Sequence, residues 1–185
     1  MDVVVAITGA SGVAIGVRLL DVLAEQSEHR VHLIVSQAAE MVMACELGTE
    51  VEFRADYRWQ PGDLTAPIAS SSRPLDAMVV APCSMKTLAA IAHGYSEDLI
   101  GRTAEIMLRL GLPLVLMPRE TPLSLPALEN MRLARIAGAI ILPPMVAYYP
   151  CPQTVEDVTD FFVGKVLDLL GLEHSLYRRW GEWGD

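Results

Sequence analysis

Short apolar runs alternate with segments of helical periodicity along most of the chain. The runs are rich in valine, isoleucine and leucine and end close to glycine, serine or proline, which is typical of buried strands. They cover Val3–Thr8, Val31–Val35, Ala77–Val80, Pro113–Met117 and Ala139–Leu142. Helices are predicted where apolar positions recur every three or four residues, at Val13–Glu25, Ala38–Glu46, about Lys86–Ala92, about Asp98–Leu110, Leu125–Ile136 and about Val155–Leu170.

This alternation predicts a parallel sheet with helices on both faces, a three-layer α/β fold of the Rossmann-like or flavodoxin-like type. Thr154 and Asp157 suit the N-terminus of the last helix. The polar interval Gly48–Arg73 interrupts the rhythm and is predicted to be an excursion or flexible loop. We therefore expect one domain over residues 1–185, with a C-terminal tail, about residues 171–185, that contacts a neighbouring subunit.

Composition narrows the function classes. The chain has 185 residues, of which 52% are hydrophobic and 20% charged, so a sizeable core or an apolar subunit surface is expected. The net charge of −9 argues against nucleic acid as a partner, and the absence of a long apolar run argues against a membrane partner. Three cysteines without metal-ligand spacing and four scattered histidines predict no metal site and a reducing, cytoplasmic location.

The segments that follow the predicted strands carry the polar chemistry. Ligands of open parallel sheets bind beyond the carboxyl ends of the strands. The glycine-rich turn Gly9–Gly16 is consistent with a phosphate-binding loop, or simply with a tight strand-to-helix turn. Ser36 stands at the end of the second strand, where NAD-binding folds usually have an acidic residue. A mononucleotide such as FMN therefore fits better than NAD.

Charged and aromatic residues follow the later strands. Arg119 and Glu120 stand between two prolines, and are interpreted either as a rigid phosphate-binding and proton-transfer pair or as a surface ion pair. Arg102 and Arg109 share one helix face and could equally form a solvated stripe. Tyr149 and its neighbour Tyr148, with Trp180 in the tail, could wall an apolar substrate or simply pack.

Several of these blocks together resemble the UbiX flavin prenyltransferase family. They are Thr8–Gly12, Ala81–Leu88, Pro118–Leu123, Leu128–Met131 and Arg179–Glu182. The resemblance implies a homo-oligomer, typically a dodecamer, with active sites at subunit junctions. It also implies that reduced FMN is alkylated by dimethylallyl phosphate at N5 and closed at C6, without a metal, and that the product serves a UbiD-type decarboxylase.

The resemblance assigns roles position by position. The implied FMN contacts are Gly9, Ala10, Ser11, Ser36, Ser84, Met85, Lys86, Thr87 and Arg119. The implied contacts of the prenyl phosphate or prenyl group are Arg102, Arg109, Tyr149, Lys165 and Trp180. Ser11, Glu46 and Glu120 are the implied catalytic residues that move protons. Some relatives have Lys at position 109 and Arg at position 165, so the phosphate geometry is expected to differ here.

Two other functions fit part of the pattern. An FMN-dependent cysteine decarboxylase of the phosphopantothenoylcysteine type would need a histidine beyond the second helix, and Leu47–Leu75 contains none. A flavin-binding or flavin-carrier protein without turnover is disfavoured because Glu46, Arg102, Glu120 and Tyr149 are all present. Product formation from bound FMN would separate the carrier from the catalyst.

Overall fold

A computed structural model describes residues 1–26 and 28–182 and contains the predicted strand–helix alternation. The strands are β1 (Asp2–Ile7), β2 (Arg30–Val35), β3 (Tyr57–Trp59), β4 (Ala77–Cys83), β5 (Leu114–Pro118) and β6 (Ile140–Ile141). The helices are α1 (Val13–Ala24), α2 (Gln37–Glu46), α3 (Met85–Ala92), α4 (Leu99–Leu110), α5 (Leu125–Ala137) and α6 (Val155–Leu170), with a 3₁₀ turn at Pro67–Ala69. No helix in the described part of the chain is long and apolar enough to cross a membrane.

The six strands form one parallel sheet in the order β3-β2-β1-β4-β5-β6. This is the doubly wound order of Rossmann folds, in which the direction of winding reverses between the two central strands. The reversal lies between β1 and β4, so the loops that leave these two strands turn to opposite sides. The predicted three-layer α/β class is confirmed.

Alternate residues of the central strands fill two separate cores. Val3, Val5 and Ile7 of β1 pack with α1, α2 and α6 on one face of the sheet. Val4 and Ala6 pack with α3 and α4 on the other face. Because strand side chains alternate between faces, a strand that is buried on both faces has no polar positions, which explains the continuous apolar runs of the sequence.

The interval Gly48–Arg73 differs from its prediction because it contributes the edge strand β3. The three-residue strand pairs with β2, placing Tyr57 opposite His32 and Trp59 opposite Ile34. Trp59 Nε1 donates to His32 Nδ1 at 3.2 Å, and the Tyr57 ring stacks on the His32 ring at 4.8 Å. Such a short strand has too few positions to show a period of two, so the sequence pattern missed it.

His32 joins this edge to the centre of the sheet. Its Nδ1 accepts from Trp59, so its Nε2 carries the proton and donates to Asp2 Oδ1 at 3.2 Å. Burial lowers the pKa of His32 despite the nearby Asp2 carboxylate, which favours the neutral ring that this arrangement requires. The edge strand β3 is therefore held by the Trp59–His32–Asp2 hydrogen bonds as well as by its short backbone pairing with β2.

Helix termini follow the predicted capping chemistry. Thr154 caps α6, and its side chain accepts from the Asp157 backbone N–H while the Asp157 carboxylate accepts from the Thr154 N–H. Ser36, Ser84 and Ser124 cap α2, α3 and α5 in the same way, each accepting from a backbone N–H three residues on. The capping box predicted for α6 is confirmed.

Close packing of α1 against the sheet leads to the first testable prediction. A Cβ added to Gly16 would lie 2.3 Å from the Ala81 carbonyl oxygen and 2.8 Å from an Ile7 side-chain carbon. Because neither β4 nor β1 can move without disturbing the central sheet, we expect Gly16→Ala to lower the free energy of unfolding by about 2 kcal/mol or more. Gly62→Ala is the matched control, since a Cβ there meets nothing within 4 Å. Equal thermal unfolding of both variants would contradict this packing.

Candidate active site

The loops after β1 and β4 are tied together by the side chain of Thr8. Thr8 is buried, and its backbone N–H and its hydroxyl both donate to the Pro82 carbonyl oxygen, at 3.2 and 2.8 Å. The same hydroxyl oxygen accepts from the Ser84 backbone N–H at 2.7 Å. One threonine thus fixes the two loops that border the reversal point of the sheet, where such folds bind ligands.

The glycine-rich loop runs between the N-termini of α1 and α2. A Cβ at Gly9 would lie 2.4 Å from the Ala38 Cβ, so only glycine lets the loop approach the first turn of α2 this closely. Gly12 has φ +94°, a left-handed conformation that glycine adopts without strain, and it caps α1. The predicted contacts Gly9, Ala10, Ser11 and Ser36 are therefore brought to one place.

Ser36 and Ser84 prepare two helix N-termini at the same edge of the sheet. Ser36 Oγ accepts from the Ala39 N–H at 3.2 Å, and Ser84 Oγ accepts from the Thr87 N–H at 3.2 Å. Ser84 also donates to the Thr87 hydroxyl oxygen at 3.0 Å. The positive ends of α2 and α3 and their remaining N–H groups suit an anionic ligand.

Glu46 lies at the N-terminus of α1, although it belongs to the last turn of α2. Its carboxylate accepts from the Gly12 N–H at 3.0 Å and from the Val13 N–H at 3.3 Å. The carboxylate is therefore held next to the loop that carries Ser11, whose side chain is exposed. This places two of the three predicted catalytic residues side by side, and their catalytic role stays a prediction.

Arg119 has a buried side-chain donor that suits a bound acceptor. Its backbone N–H donates to the Cys83 carbonyl oxygen at 3.3 Å, which joins the ends of β5 and β4. Its side-chain Nε is buried and has no hydrogen-bond partner within residues 1–26 and 28–182. Leaving a buried donor unpaired costs about 1–3 kcal/mol, more when it is charged, so this N–H calls for an acceptor from a bound molecule.

Glu120 and Arg119 share a pocket of about 440 Å³ with mostly apolar walls. The pocket lies between the ends of β5 and β6, and its walls include Pro118, Met131, Pro143 and Met145. The Glu120 carboxylate is exposed and accepts from the Thr121 N–H at 2.9 Å. A carboxyl group, a guanidinium and an apolar wall thus meet at the rim of the site.

A second group of predicted residues gathers on α6 and the tail. The Tyr149 ring contacts the Trp180 ring edge-on, with centroids 5.3 Å apart. Lys165 Nζ donates to Asp168 Oδ2 at 3.2 Å and to the Tyr177 hydroxyl at 3.4 Å. The tail from residue 171 to residue 182 folds back on α6, while its predicted contact with a neighbouring subunit stays a prediction and residues 183–185 lie outside the described part.

Arg102 and Arg109 are not brought to these loops within one chain. Both lie on α4 and pair with Glu105 at 3.0 Å, and Arg102 Nε also donates to the Ala69 carbonyl oxygen at 3.0 Å. Arg109 is in the last turn of α4, close before Leu114 at the amino end of β5, opposite to the ligand-binding edge. Arg102 lies instead in the first turn of α4, bonded to Ala69 and Glu105. Contact of either arginine with the substrate stays a prediction.

The chain matches known proteins along nearly its whole length. Residues 1–167 match the Flavoprotein family. The flavin prenyltransferase UbiX of Methanocaldococcus jannaschii is 46% identical over 184 residues, which is 98% of this chain and 99% of that protein. The chain belongs to the UbiX flavin prenyltransferase family.

Two solved structures agree with this assignment. The dodecameric FMN-dependent UbiX-like decarboxylase from Escherichia coli O157:H7 has a TM-score of 0.94 and 44% identity, with 97% of this chain and 99% of that chain covered. AnUbiX (PadA1), solved with FMN and dimethylallyl pyrophosphate, has a TM-score of 0.92 and 42% identity, with 99% and 98% covered. Arg119 and the loops described above therefore belong to a UbiX-type sheet.

This chain shares only its fold with the FMN-dependent cysteine decarboxylases. The FMN-dependent cysteine decarboxylase TvaF is 16% identical to this UbiX-family chain, with a TM-score of 0.64. That identity is too low to carry an activity across. The cysteine decarboxylase reading is accordingly less supported than the prenyltransferase reading.

Sequence reasoning missed two residues that organise the site. In the sequence Thr8 stands out only as part of the glycine-rich block, although a hydroxyl at a strand end is a signal for a loop contact. Asp168 was not singled out, because its partners on the tail become neighbours only when the chain folds back on α6. In this UbiX-family chain, Thr8 holds the loops after β1 and β4 together, and Asp168 holds the tail on α6.

Capping of α1 by Glu46 generates a prediction of its own. Glu46→Gln keeps one acceptor oxygen but removes the negative charge from the helix N-terminus, so we expect a loss of about 0.5–1 kcal/mol in the free energy of unfolding. Thermal unfolding at low ionic strength measures it, and the loss should shrink as salt is added. Glu50→Gln, at an exposed position, is the control. An unchanged midpoint would mean that Glu46 does not stabilise α1.

Proposed function

We propose that this UbiX-family chain transfers a dimethylallyl group from dimethylallyl phosphate to N5 and C6 of reduced FMN. The observation that carries the proposal is the buried Arg119 Nε at the junction of β4 and β5, which finds no acceptor among the described residues. It supports a bound molecule with acceptor atoms at the ligand-binding edge of a sheet shared with AnUbiX, a protein solved with FMN and dimethylallyl pyrophosphate.

The residues at the edge fit FMN as the prenyl acceptor. The N-terminus of α2, capped by Ser36, suits the FMN phosphate because its N–H groups and dipole favour an anion. Arg119 Nε offers a donor to the flavin, and Gly9 lets the glycine-rich loop lie directly against the first turn of α2, beside the proposed phosphate position. The remaining proposed contacts are Ala10, Ser11, Ser84, Met85, Lys86 and Thr87.

The prenyl donor is proposed to bind at Tyr149, Trp180 and Lys165. The Tyr149 and Trp180 rings offer an apolar wall, and the Lys165 ammonium offers a charge for the phosphate. Hydrogen bonding to Asp168 and Tyr177 raises the pKa of Lys165 despite its partial burial, so it remains a cation at neutral pH. Cations near the leaving phosphate stabilise its departure.

A neighbouring subunit is proposed to complete this phosphate site. Arg102 and Arg109 lie on α4 and pair there with Glu105, and we assign them to a phosphate site shared with a neighbouring subunit. The E. coli relative is a dodecamer, which supports a homo-oligomer, and specifically a dodecamer, for this chain as well. Exposed apolar side chains on α5, including Leu125 (71% exposed) and Ile136 (69% exposed), support buried subunit contacts.

The proposed chemistry needs cations and proton carriers but no metal. The allylic C–O bond breaks with its electron pair on the phosphate, while N5 of the reduced flavin bonds to the freed carbon. Ring closure at C6 then moves the C6 proton onto the former alkene. The N5 proton leaves as the N5–C bond forms. We assign Glu120 as the donor of a proton to the departing phosphate, and Glu46 with Ser11 as the groups that take up the N5 proton and move the C6 proton.

The product is proposed to serve a UbiD-type decarboxylase in the cytoplasm. The presence of free cysteines Cys45 and Cys151 at exposed positions supports a reducing compartment. Burial raises the pKa of the third thiol, Cys83, so it stays protonated and is assigned a packing role in the flavin loop.

The reaction is tested by mass spectrometry of the flavin after anaerobic incubation with reduced FMN and dimethylallyl phosphate. We expect a flavin heavier by one C5H8 unit, and a parallel incubation with the pyrophosphate identifies the preferred donor. Unmodified FMN that stays bound with both donors would instead support the carrier function.

A variant pair ties the product to the site. Arg119→Ala should reduce FMN affinity by about tenfold or more, because a charge-assisted hydrogen bond contributes about 1.5–3 kcal/mol. Arg132→Ala is the control, since Arg132 is exposed on α5 and pairs with Glu129. Equal affinities of the two variants would remove Arg119 from the flavin site.

A further inference from the structure

The tail of the chain is held on α6 by one carboxylate. Asp168 Oδ1 accepts from His174 Nε2 at 3.1 Å and from Arg179 at 3.0 Å, and its Oδ2 accepts from the Tyr177 hydroxyl and from Lys165 Nζ. Three of these four donors belong to the tail. His174 is oriented for this contact, because its Nδ1 accepts from the Leu176 N–H and leaves Nε2 to donate.

The charge state of Asp168 suits this role. Partial burial alone would raise its pKa, but the hydrogen bonds from Tyr177, Arg179, His174 and Lys165 outweigh burial and lower the pKa well below the usual range. The carboxylate therefore stays ionised, and each of its bonds is charge-assisted.

A glycine on α6 makes room for the tail. A Cβ at Gly164 would lie 2.6 Å from the Tyr177 ring, so the ring packs directly on the helix backbone. The Tyr177 ring contacts the Phe161 ring at 5.0 Å, and Phe161 contacts Tyr149 at 6.0 Å. Trp180 comes three residues after Tyr177, and its ring packs against the Tyr149 ring. The rings of Tyr177, Phe161, Tyr149 and Trp180 therefore form one continuous row of contacts.

We propose that Asp168, Gly164, His174 and Tyr177 form a tail latch that holds Trp180 against Tyr149 and so shapes the prenyl-donor site. Asp168 is then a positioning residue, which acts through Tyr177 and through the Lys165 ammonium rather than by touching the donor. This inference rests on the proposed function, since it assigns Tyr149, Trp180 and Lys165 to the prenyl donor. FMN is proposed to bind at the loops that follow β1, β2, β4 and β5. Loss of the latch is therefore expected to weaken binding of the prenyl donor more than binding of FMN.

The first test compares Asp168→Asn with Asp160→Asn. Asp160 lies on the same helix and makes a bidentate pair with Arg18 of α1, at 2.7 and 3.3 Å, without contacting the tail. We expect Asp168→Asn to raise the KM for dimethylallyl phosphate by about tenfold and to leave the Kd of FMN within about twofold. Asp160→Asn should leave both constants unchanged. Equal changes in KM and Kd for Asp168→Asn would indicate general damage and overturn the proposal.

The second test reads the tail without using activity. Hydrogen exchange of residues 172–182 should become faster in Asp168→Asn and in Gly164→Ala, because each variant removes a different part of the latch, whereas exchange in β1 and β4 should not change. Unchanged tail exchange in Asp168→Asn overturns the latch. If the wild type makes no prenylated flavin, the proposed function fails, while the exchange data still decide whether Asp168 holds the tail.

Discussion

The joint that Thr8 makes between β1 and β4 is the constraint on which the site depends. The strands lie next to each other in the sheet, but their following loops turn to opposite sides, so a crevice opens between them. A single buried hydroxyl donates to the Pro82 carbonyl oxygen and accepts from the Ser84 N–H. This fixes the position of the α3 N-terminus relative to the glycine-rich loop.

Other contacts extend this frame in both directions along the edge of the sheet. Toward β2, Gly9 lets the loop touch α2, and Glu46 returns from the end of α2 to cap α1. Toward β5, the Arg119 N–H donates to the Cys83 carbonyl oxygen, and the buried guanidinium Nε has no acceptor in the part of the chain that the structure describes. Each contact orders one more loop, and together they bring the N-termini of α2 and α3 and the side chain of Arg119 to the edge of the sheet where FMN is proposed to bind.

The regular part of the fold was predictable because its signal is local. β1 and β4 are buried on both faces and appear as continuous apolar runs, and the N-caps of α2, α3 and α6 stand directly before helical periodicity. The edge strand β3 has only three residues, and it depends on a bond between Trp59 and His32 that no periodicity reports. The prediction therefore treated it as a loop.

The sequence was enough to predict which loops form the candidate site, but not most of the hydrogen bonds that hold those loops. The rule that ligands bind beyond parallel strand ends, with the family resemblance, located Ser36, Ser84 and Arg119. Thr8 and its partner Pro82 are 74 positions apart, and the bonds of Asp168 require the tail to fold back on α6, so neither contact leaves a pattern in the sequence. The proposed contacts of Arg102 and Arg109 with a neighbouring subunit cannot be read from the pattern of a single chain.

The most direct test of this account is the FMN affinity of Thr8→Val compared with Thr8→Ser. Valine keeps the shape of threonine but leaves the partly buried Ser84 N–H without its Thr8 acceptor, which costs about 1–3 kcal/mol, whereas serine keeps the hydroxyl. We expect FMN to bind about tenfold more weakly to Thr8→Val and with close to wild-type affinity to Thr8→Ser, measured by quenching of flavin fluorescence. Equal affinity of Thr8→Val and wild type would contradict the claim that this joint builds the flavin site.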